Sequence, residues 1–195
     1  MDLVQRVEGI LIRPKEEWAK IKAEPTTETE LFTSYAMVLA AIPAAAQFIG
    51  HLLVGQRIPF IGLYHWGIGR ALANAVLAYV FSLATVYFFA VIVNALAPNF
   101  SSLQNMTNAM KLAVYCMTPG WVAGILYIFP VLGILTILAS LYGLYILYLG
   151  FQAPMMETPR DMVLGYMVIS IVVVVVLALV FGLILSWLFA VRLHA

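Results

Sequence analysis

A line of polar residues on one predicted helix could border a path for an ion or a small solute. Pro43, Gln47 and His51 recur at every fourth position and therefore share one helix face. A proline inside a helix frees a backbone carbonyl one turn earlier, which would extend the polar line formed by the amide and the imidazole. The alternative is a structural role, in which Gln47 bonds to a neighbouring helix and His51 reaches water near the helix end. The structural interpretation is favoured, because Lys111 is the only other charged or imidazole side chain inside a predicted span.

A second group consists of three charged residues between two charge-free runs: Glu157, Arg160 and Asp161. As a docking site, the group would act together with the basic N-terminal arm and bind a cytosolic partner. As a helix start, it would place Thr158 at the N-cap, Pro159 at the first helical position and Asp161 where an acid complements the helix dipole. The helix-start interpretation is favoured, and it predicts that the last helix begins after Thr158.

Residues for catalysis, cofactor binding or metal binding are not found in the sequence. No Asp or Glu lies inside any predicted span, and there is no HExxH, GxSxG, Walker or dinucleotide-binding motif. Cys116 is the only cysteine, so one chain can form neither a disulfide nor a cysteine-based zinc site. Lys111 stands near the start of a span, and its long side chain is expected to reach the water interface. We therefore expect no enzyme activity, no cofactor and no metal.

The composition identifies the class of protein. Apolar residues make up 64% of the chain and charged residues 10%, with a mean hydropathy of +1.01. Soluble proteins have roughly 45–50% apolar and about 25% charged residues. Of the 19 charged residues, 12 fall in the first 30 positions. The sequence therefore predicts a multi-pass membrane protein with a short polar arm.

The predicted fold is an all-α integral membrane protein with five transmembrane helices. A helix needs about 20 mostly apolar residues to cross a bilayer, and such segments lie at about 31–54, 71–97, 109–128, 130–152 and 162–190. The domains are then a cytoplasmic arm, residues 1–30, and a membrane domain, residues 31–195. The arm and the loops at 98–108 and 153–161 would face one side, and the segment at 55–70, which is rich in aromatic residues, would lie flat at the other interface.

Basic residues set the orientation. With the N-terminus in the cytoplasm, the inner segments hold Arg6, Arg13, Lys15, Lys20, Lys22, Lys111 and Arg160, and the outer segments hold Arg57, Arg70 and Arg192. An excess of Lys and Arg marks the cytoplasmic side. We expect a cytoplasmic N-terminus and a C-terminus outside.

The arm is predicted to form two short amphipathic helices. Leu3, Val7 and Ile10 share a face of the first, and Pro14 opens the second, in which Trp18 and Ile21 form a small apolar stripe. Such helices lie on a membrane surface or pack on the protein itself. The sequence leaves both placements open.

Small residues at four-residue spacing allow close approach of helix backbones. The pairs are Gly120 with Gly124 and Ala139 with Gly143. Packing within one bundle is favoured over a dimer contact.

Three stretches of the chain resemble one family. They are "RPKEEWAKIKAEP", "KLAVYCMTPGWVAGIL" and "LYGLYILYLGFQAPMMETPRDMVLGY". Together they are similar to the Yip family, the Ypt/Rab-interacting membrane proteins, in its compact bacterial branch. The resemblance implies a five-span bundle with a cytosolic N-terminus. It implies no particular activity, although eukaryotic members are associated with Rab GTPases and vesicle traffic.

We expect a non-enzymatic adaptor or organiser of the bacterial inner membrane. Its partners would be membrane lipids, a second copy of the chain, or a membrane or cytosolic protein, and not nucleic acid. The alternative is an oligomeric transporter or channel for a small solute or ion that uses the polar face of the first span.

Overall fold

The computed structural model describes residues 2–58, 62–152 and 155–192. Two short helices come first, α1 (Leu3–Ile12) and α2 (Pro14–Ala23). The long segments are α3 (Glu28–Val54), α4 (Ile68–Leu96, extended by a 3-10 turn to Phe100), α5 (Met106–Ala123, extended to Ile128), α6 (Leu135–Gln152, preceded by a 3-10 turn from Pro130) and α7 (Val163–Arg192). Two three-residue strands, β1 (Gln56–Ile58) and β2 (Gly62–Tyr64), form an antiparallel hairpin.

The long helices follow the apolar runs of the sequence. Four segments, Glu28–Val54, Ile68–Phe100, Met106–Ile128 and Val131–Gln152, have the length and hydropathy of membrane spans. Among the described residues, Val163–Val176 is a shorter apolar segment at the start of α7. The predicted helical, multi-pass class is therefore present.

The helix α5 is the centre of the bundle. In the most apolar 18-residue stretch of its span, 67% is buried inside the protein, against 22–28% in the corresponding stretches of the other three spans. It packs against α3, α4, α6 and α1, while α7 packs against α4 and α6. Of the four spans it has the lowest hydropathy, since the other helices shield it.

The two ends of the bundle are built differently. At one end, which we call the arm end, the chain between α4 and α5 meets the chain between α6 and α7, since the Leu103 amide donates to the Met156 carbonyl at 2.8 Å. The Asn108 side chain, in the first turn of α5, donates to the Met155 carbonyl at 2.8 Å. The other end, which we call the hairpin end, carries β1 and β2. Residues 59–61 and 153–154, which fall in the predicted 55–70 and 153–161 segments, lie outside the described residues.

The segment at 55–70 was expected to lie flat, and it contains the β-hairpin. Trp66 stacks on His51, with ring centroids 4.2 Å apart, and its amide donates to the His51 carbonyl at 3.1 Å. Arg70 lies over the Trp66 ring, 4.5 Å from its centroid. This segment is thus fastened to the end of α3.

Of the two placements considered for the arm, the structure shows the arm on the protein. Ile10, Trp18 and Ile21 are buried against the bundle. The Leu11 carbonyl accepts a hydrogen bond from Tyr142 at 2.7 Å. Tyr142 lies ten residues before the end of α6, about 15 Å along the helix axis. The arm therefore packs along the sides of α5 and α6.

Small residues lie at two close helix crossings. A Cβ on Gly143 would lie 2.5 Å from the carbonyl oxygen of Cys116, where α6 crosses α5. A Cβ on Gly124 would lie 2.5 Å from the Cβ of Pro43 in α3. At Gly120 the nearest atom, Ser140 Oγ, would be 3.7 Å away, and Ala139 is partly exposed.

These distances predict different results for two matched glycine substitutions. In Gly143→Ala the added methyl group requires the backbone of α5 at Cys116 to move away. We therefore expect this substitution to lower the free energy of unfolding by about 1–3 kcal/mol. Gly120→Ala meets only an ordinary contact and should change it little. The midpoint of unfolding by sodium dodecyl sulfate in mixed micelles measures both, and equal losses would show that the α5–α6 crossing is not this tight.

Candidate functional site

The arm is anchored by Trp18, which is fully buried. Pro14 starts α2 at a position where its missing N–H leaves no bond unmade, and Trp18 follows one turn later. Its indole Nε1 donates to the carbonyl of Ile146 at 3.0 Å, and its ring meets the edge of Tyr115 at a centroid distance of 6.0 Å. Trp18 thus joins α2 to both α5 and α6.

A network of charged side chains is buried between the arm helices. Arg6 and Glu17 are 3% and 2% exposed, and Arg6 donates to the Glu17 carboxylate at 2.6 Å. Arg6 also pairs with Glu24, and the exposed Lys20 pairs with Glu17 at 2.9 Å. The Arg6 guanidinium lies 5.6 Å from the centroid of the Tyr115 ring. The network therefore brings charge beside a span whose own sequence holds no acid.

Lys111 does not reach the water interface, and that prediction is wrong. The residue is 4% exposed, and its Nζ donates to the carbonyls of Ile21 at 2.7 Å and Glu24 at 2.8 Å. The last carbonyls of a helix lack partners within the helix, and a cation there also complements the helix dipole. Lys111 therefore closes the C-terminus of α2 from the neighbouring helix α5.

The predicted docking residues lie at the arm end. Glu157, Arg160 and Asp161 are all exposed. Glu157 has a positive φ of 53° and pairs with Lys22 of the arm at 3.6 Å. The loop and the arm are therefore in contact, as the docking interpretation requires.

The prediction of a helix start at Thr158 is wrong. A turn at residues 160–162 precedes α7, which begins at Val163. The Thr158 hydroxyl accepts a hydrogen bond from Ser102 at 2.9 Å. Thr158 thus ties this loop to the chain between α4 and α5.

The line of Pro43, Gln47 and His51 is divided in the structure. Pro43 and Gln47 line a cavity of about 220 Å³ between α3, α4, α5 and α6. Gln47 accepts a hydrogen bond from Asn74 of α4 at 3.3 Å. His51 lies outside this lining, stacked on Trp66, and its buried Nδ1 has no partner among the described residues.

The neighbouring helices contribute polar and aromatic side chains to the walls of this cavity. Ser82, Trp121, Tyr79, Tyr127 and Ser140 line it. The indole Nε1 of Trp121 donates to Ser82 Oγ at 3.0 Å. These residues were not predicted from the sequence, because they are isolated polar and aromatic side chains spread over three helices.

The buried network of charged side chains was also not predicted, although the sequence holds one signal for it. Arg6 lies among Leu3, Val7 and Ile10, on the face that was predicted to be apolar. A charge on the apolar face of a helix indicates a buried partner. Among the described residues, no three His, Cys, Asp or Glu side chains form a group that could hold a metal ion.

Comparison with known proteins gives one family. The family model described as the Yip1 domain matches residues 9–190 of the chain. The inner membrane protein YohC of Escherichia coli strain K12 is 27% identical over 128 residues, which is 66% of this chain and 66% of that protein. The YohC of Escherichia coli O6:H1 strain CFT073 aligns with the same identity and length. The match thus spans just under two thirds of these relatives, and no solved structure matches the chain.

Proposed function

The chain belongs to the Yip1 domain family, and from this premise we propose that it is a non-enzymatic adaptor or organiser of the bacterial inner membrane. One observation carries the proposal. The arm and the two loops of the arm end are joined by side-chain bonds into a single surface, on which charged residues stay exposed. A membrane protein with this architecture can present a fixed recognition surface to a protein partner.

Three contacts support this surface. Lys22 of the arm pairs with Glu157, Ser102 donates to Thr158, and Thr107 donates to Glu28 at 3.2 Å. The exposed Arg160 and Asp161 follow directly on the loop. Charged groups on a rigid surface favour specific partners by complementarity.

We assign the arm end to the cytoplasm and five spans to the chain. The excess of basic residues on that end supports the orientation, and the named location of the YohC relatives supports the inner membrane. The 30-residue helix α7 is long enough for a fifth crossing. The C-terminus then lies outside.

Site-specific photocrosslinking in intact cells tests the adaptor proposal. A photoreactive amino acid at Arg160 or Asp161 should give one common protein adduct, and the charge reversal Glu157→Lys should reduce it. Gly69, in open space at the hairpin end, is the matched control position and should not give that adduct. Equal adducts at both ends, or no discrete adduct at the arm end, would contradict the proposal.

The orientation predicts that two glycosylation sequences stay unmodified. Asn99 and Asn105 each begin an N-x-S/T triplet at the arm end. When the chain is made with glycosylating microsomes, both should remain free because the acceptor enzyme works on the opposite side. A new Asn-Gly-Ser triplet inserted after Gly67, at the hairpin end, should be modified. Glycan on Asn99 or Asn105 would overturn the orientation.

A second candidate is the permeation of a small neutral solute, and the cavity lined by Gln47 favours it. Flux into liposomes that contain the purified protein tests it. Gln47→Leu should then reduce flux, while His51→Ala, outside the cavity, should leave it unchanged. The adaptor proposal expects no flux above that of empty liposomes in either case.

A further inference from the structure

The cavity lined by Gln47 adjoins two apolar grooves, with each of which it shares two lining residues. The first groove, of about 280 Å³, lies between α3 and α4 and shares Ala44 and Tyr79 with the cavity. The second, of about 290 Å³, lies between α4, α5, α6 and α7 and shares Gly120 and Ser140 with it. A polar chamber thus borders two apolar grooves. Taken together, the three spaces have the size of ligand pockets, roughly 300–1,000 Å³.

The polar chamber has hydrogen-bonding capacity that the described contacts do not use. Gln47 receives a bond at Oε1 from Asn74, and its NH₂ group makes no bond among the described residues. Ser82 accepts from Trp121, which leaves its own O–H for donation. Ser140 donates to the Thr136 carbonyl at 2.9 Å, which leaves its oxygen as an acceptor. The chamber therefore offers hydrogen-bond donors at Gln47 and Ser82 and an acceptor at Ser140.

The chamber suits an uncharged group. Within the part of the chain that the structure describes, no Asp, Glu, Lys, Arg or His lines the chamber or either groove. Moving a phosphate or another ion into such a site would cost far more than moving a neutral ester or hydroxyl. The lining thus discriminates against charged headgroups.

We infer that this region binds a neutral glycerolipid of the diacylglycerol class. The two ester carbonyls of such a lipid accept from Gln47 and Ser82, its free hydroxyl donates to Ser140, and its two chains occupy the two grooves. The site lies away from the arm end and goes beyond the adaptor function, so either can fail without the other.

Photocrosslinking of the purified protein in detergent micelles tests the inference. The probe is a dioleoylglycerol analogue with a diazirine in one acyl chain. Competitors at equal concentration are unlabelled dioleoylglycerol, dioleoyl phosphatidic acid, monooleoylglycerol and glycerol. Mass spectrometry of the digested protein should place the adducts on residues 41–48 and 72–79 or on residues 137–147. Only dioleoylglycerol should compete fully.

Two variants separate binding from folding. Gln47→Leu removes a hydrogen-bond donor while the side chain keeps a similar volume. It should lower the adduct yield about fivefold to tenfold, the change in affinity that corresponds to one hydrogen bond. Its matched control is Gln152→Leu at the arm end of α6, which should leave the yield unchanged. Gly120→Ala keeps an ordinary contact at 3.7 Å but adds a methyl group to a residue that lines both the chamber and the second groove, so it should also lower the yield.

The outcomes distinguish this site from general lipid contact and from a solute site. Equal competition by phosphatidic acid, or an adduct yield that Gln47→Leu leaves unchanged, would overturn the inference. Full competition by glycerol alone would overturn it in favour of a small-solute site. Full competition by monooleoylglycerol would overturn the assignment of both grooves to one lipid. Adducts spread over all helices would show bulk lipid contact.

Discussion

Replacing Trp18 by alanine should detach the arm from the bundle and lower the free energy of unfolding by about 4 kcal/mol, the range for removal of a buried tryptophan. The side chain is fully buried and bonds to the Ile146 carbonyl. A Cβ on Gly150 would lie 2.6 Å from the indole ring, so α6 is shaped to this side chain. Alanine would leave a cavity that the two long helices cannot close.

Two readouts and two controls make this result specific. Unfolding by sodium dodecyl sulfate in micelles gives the stability, and protease cleavage of the linker at residues 24–27 reports detachment of the arm. Trp18→Phe keeps most of the buried area and should lose only about 1 kcal/mol with the indole hydrogen bond. Trp66→Ala, at the hairpin end, should leave cleavage of the linker unchanged. Unchanged cleavage in Trp18→Ala would show that the arm is held elsewhere.

The long helices could be predicted from the sequence because their cause is local. An apolar run of about 20 residues satisfies its own backbone bonds as a helix, whatever its neighbours are. The predicted segments 31–54 and 109–128 therefore correspond to Glu28–Val54 and Met106–Ile128.

The position of the arm could not be predicted in the same way. An amphipathic helix buries its apolar face equally well in a membrane surface or against other helices. Lys111 shows the consequence: without the arm in place, its side chain has only water to reach, and with the arm it has two helix-end carbonyls. Contacts between segments distant in sequence therefore determine where the arm and the Lys111 side chain lie.

The polar line on α3 illustrates a different limit. A spacing of four places residues on one face only while the helix keeps its regular turn. Gly50–Val54 is a π-helical segment, in which bonds run to the fifth residue and the turn is wider. Pro43 and Gln47 precede it and share the cavity, whereas His51 lies within it and faces Trp66.

Thr158 does not cap a helix in the structure and instead lies in a loop that contacts a distant segment. A Thr-Pro-x-Asp sequence is a strong local signal for a helix start. Here Ser102, from a distant part of the chain, bonds to Thr158, and α7 begins only at Val163. A local capping preference is worth only about 1 kcal/mol, which is small enough for the packing of distant segments to override.

The buried network predicts the second large effect. Glu17→Gln keeps the shape of the side chain but removes its charge, and Arg6, with its side chain 4% exposed, then retains one carboxylate partner. Breaking one partner of a buried pair costs about 3–5 kcal/mol. Glu24 remains, so we expect a loss near 3 kcal/mol and increased protease cleavage of the linker.

Glu16→Gln is the matched control, because Glu16 is the exposed neighbour on the same helix. Its loss should be close to zero, as for most substitutions of exposed side chains. The loss in Glu17→Gln should also persist at high salt, since buried charges are screened much less than exposed ones. A salt-sensitive loss would place the pair in water and contradict its burial.

The double variant Arg6→Met with Glu17→Met distinguishes the cost of a broken pair from the value of the pair itself. Replacing both charges by apolar side chains leaves neither ion uncompensated, and such exchanges are often neutral or stabilising. Glu24 has a side chain that is 35% exposed and can be hydrated once Arg6 is gone. We therefore expect the double variant to dock its arm and to unfold at nearly the midpoint of the unmodified protein. A double variant as unstable as Glu17→Gln would mean that the Arg6 network itself, and not the burial around it, holds the arm.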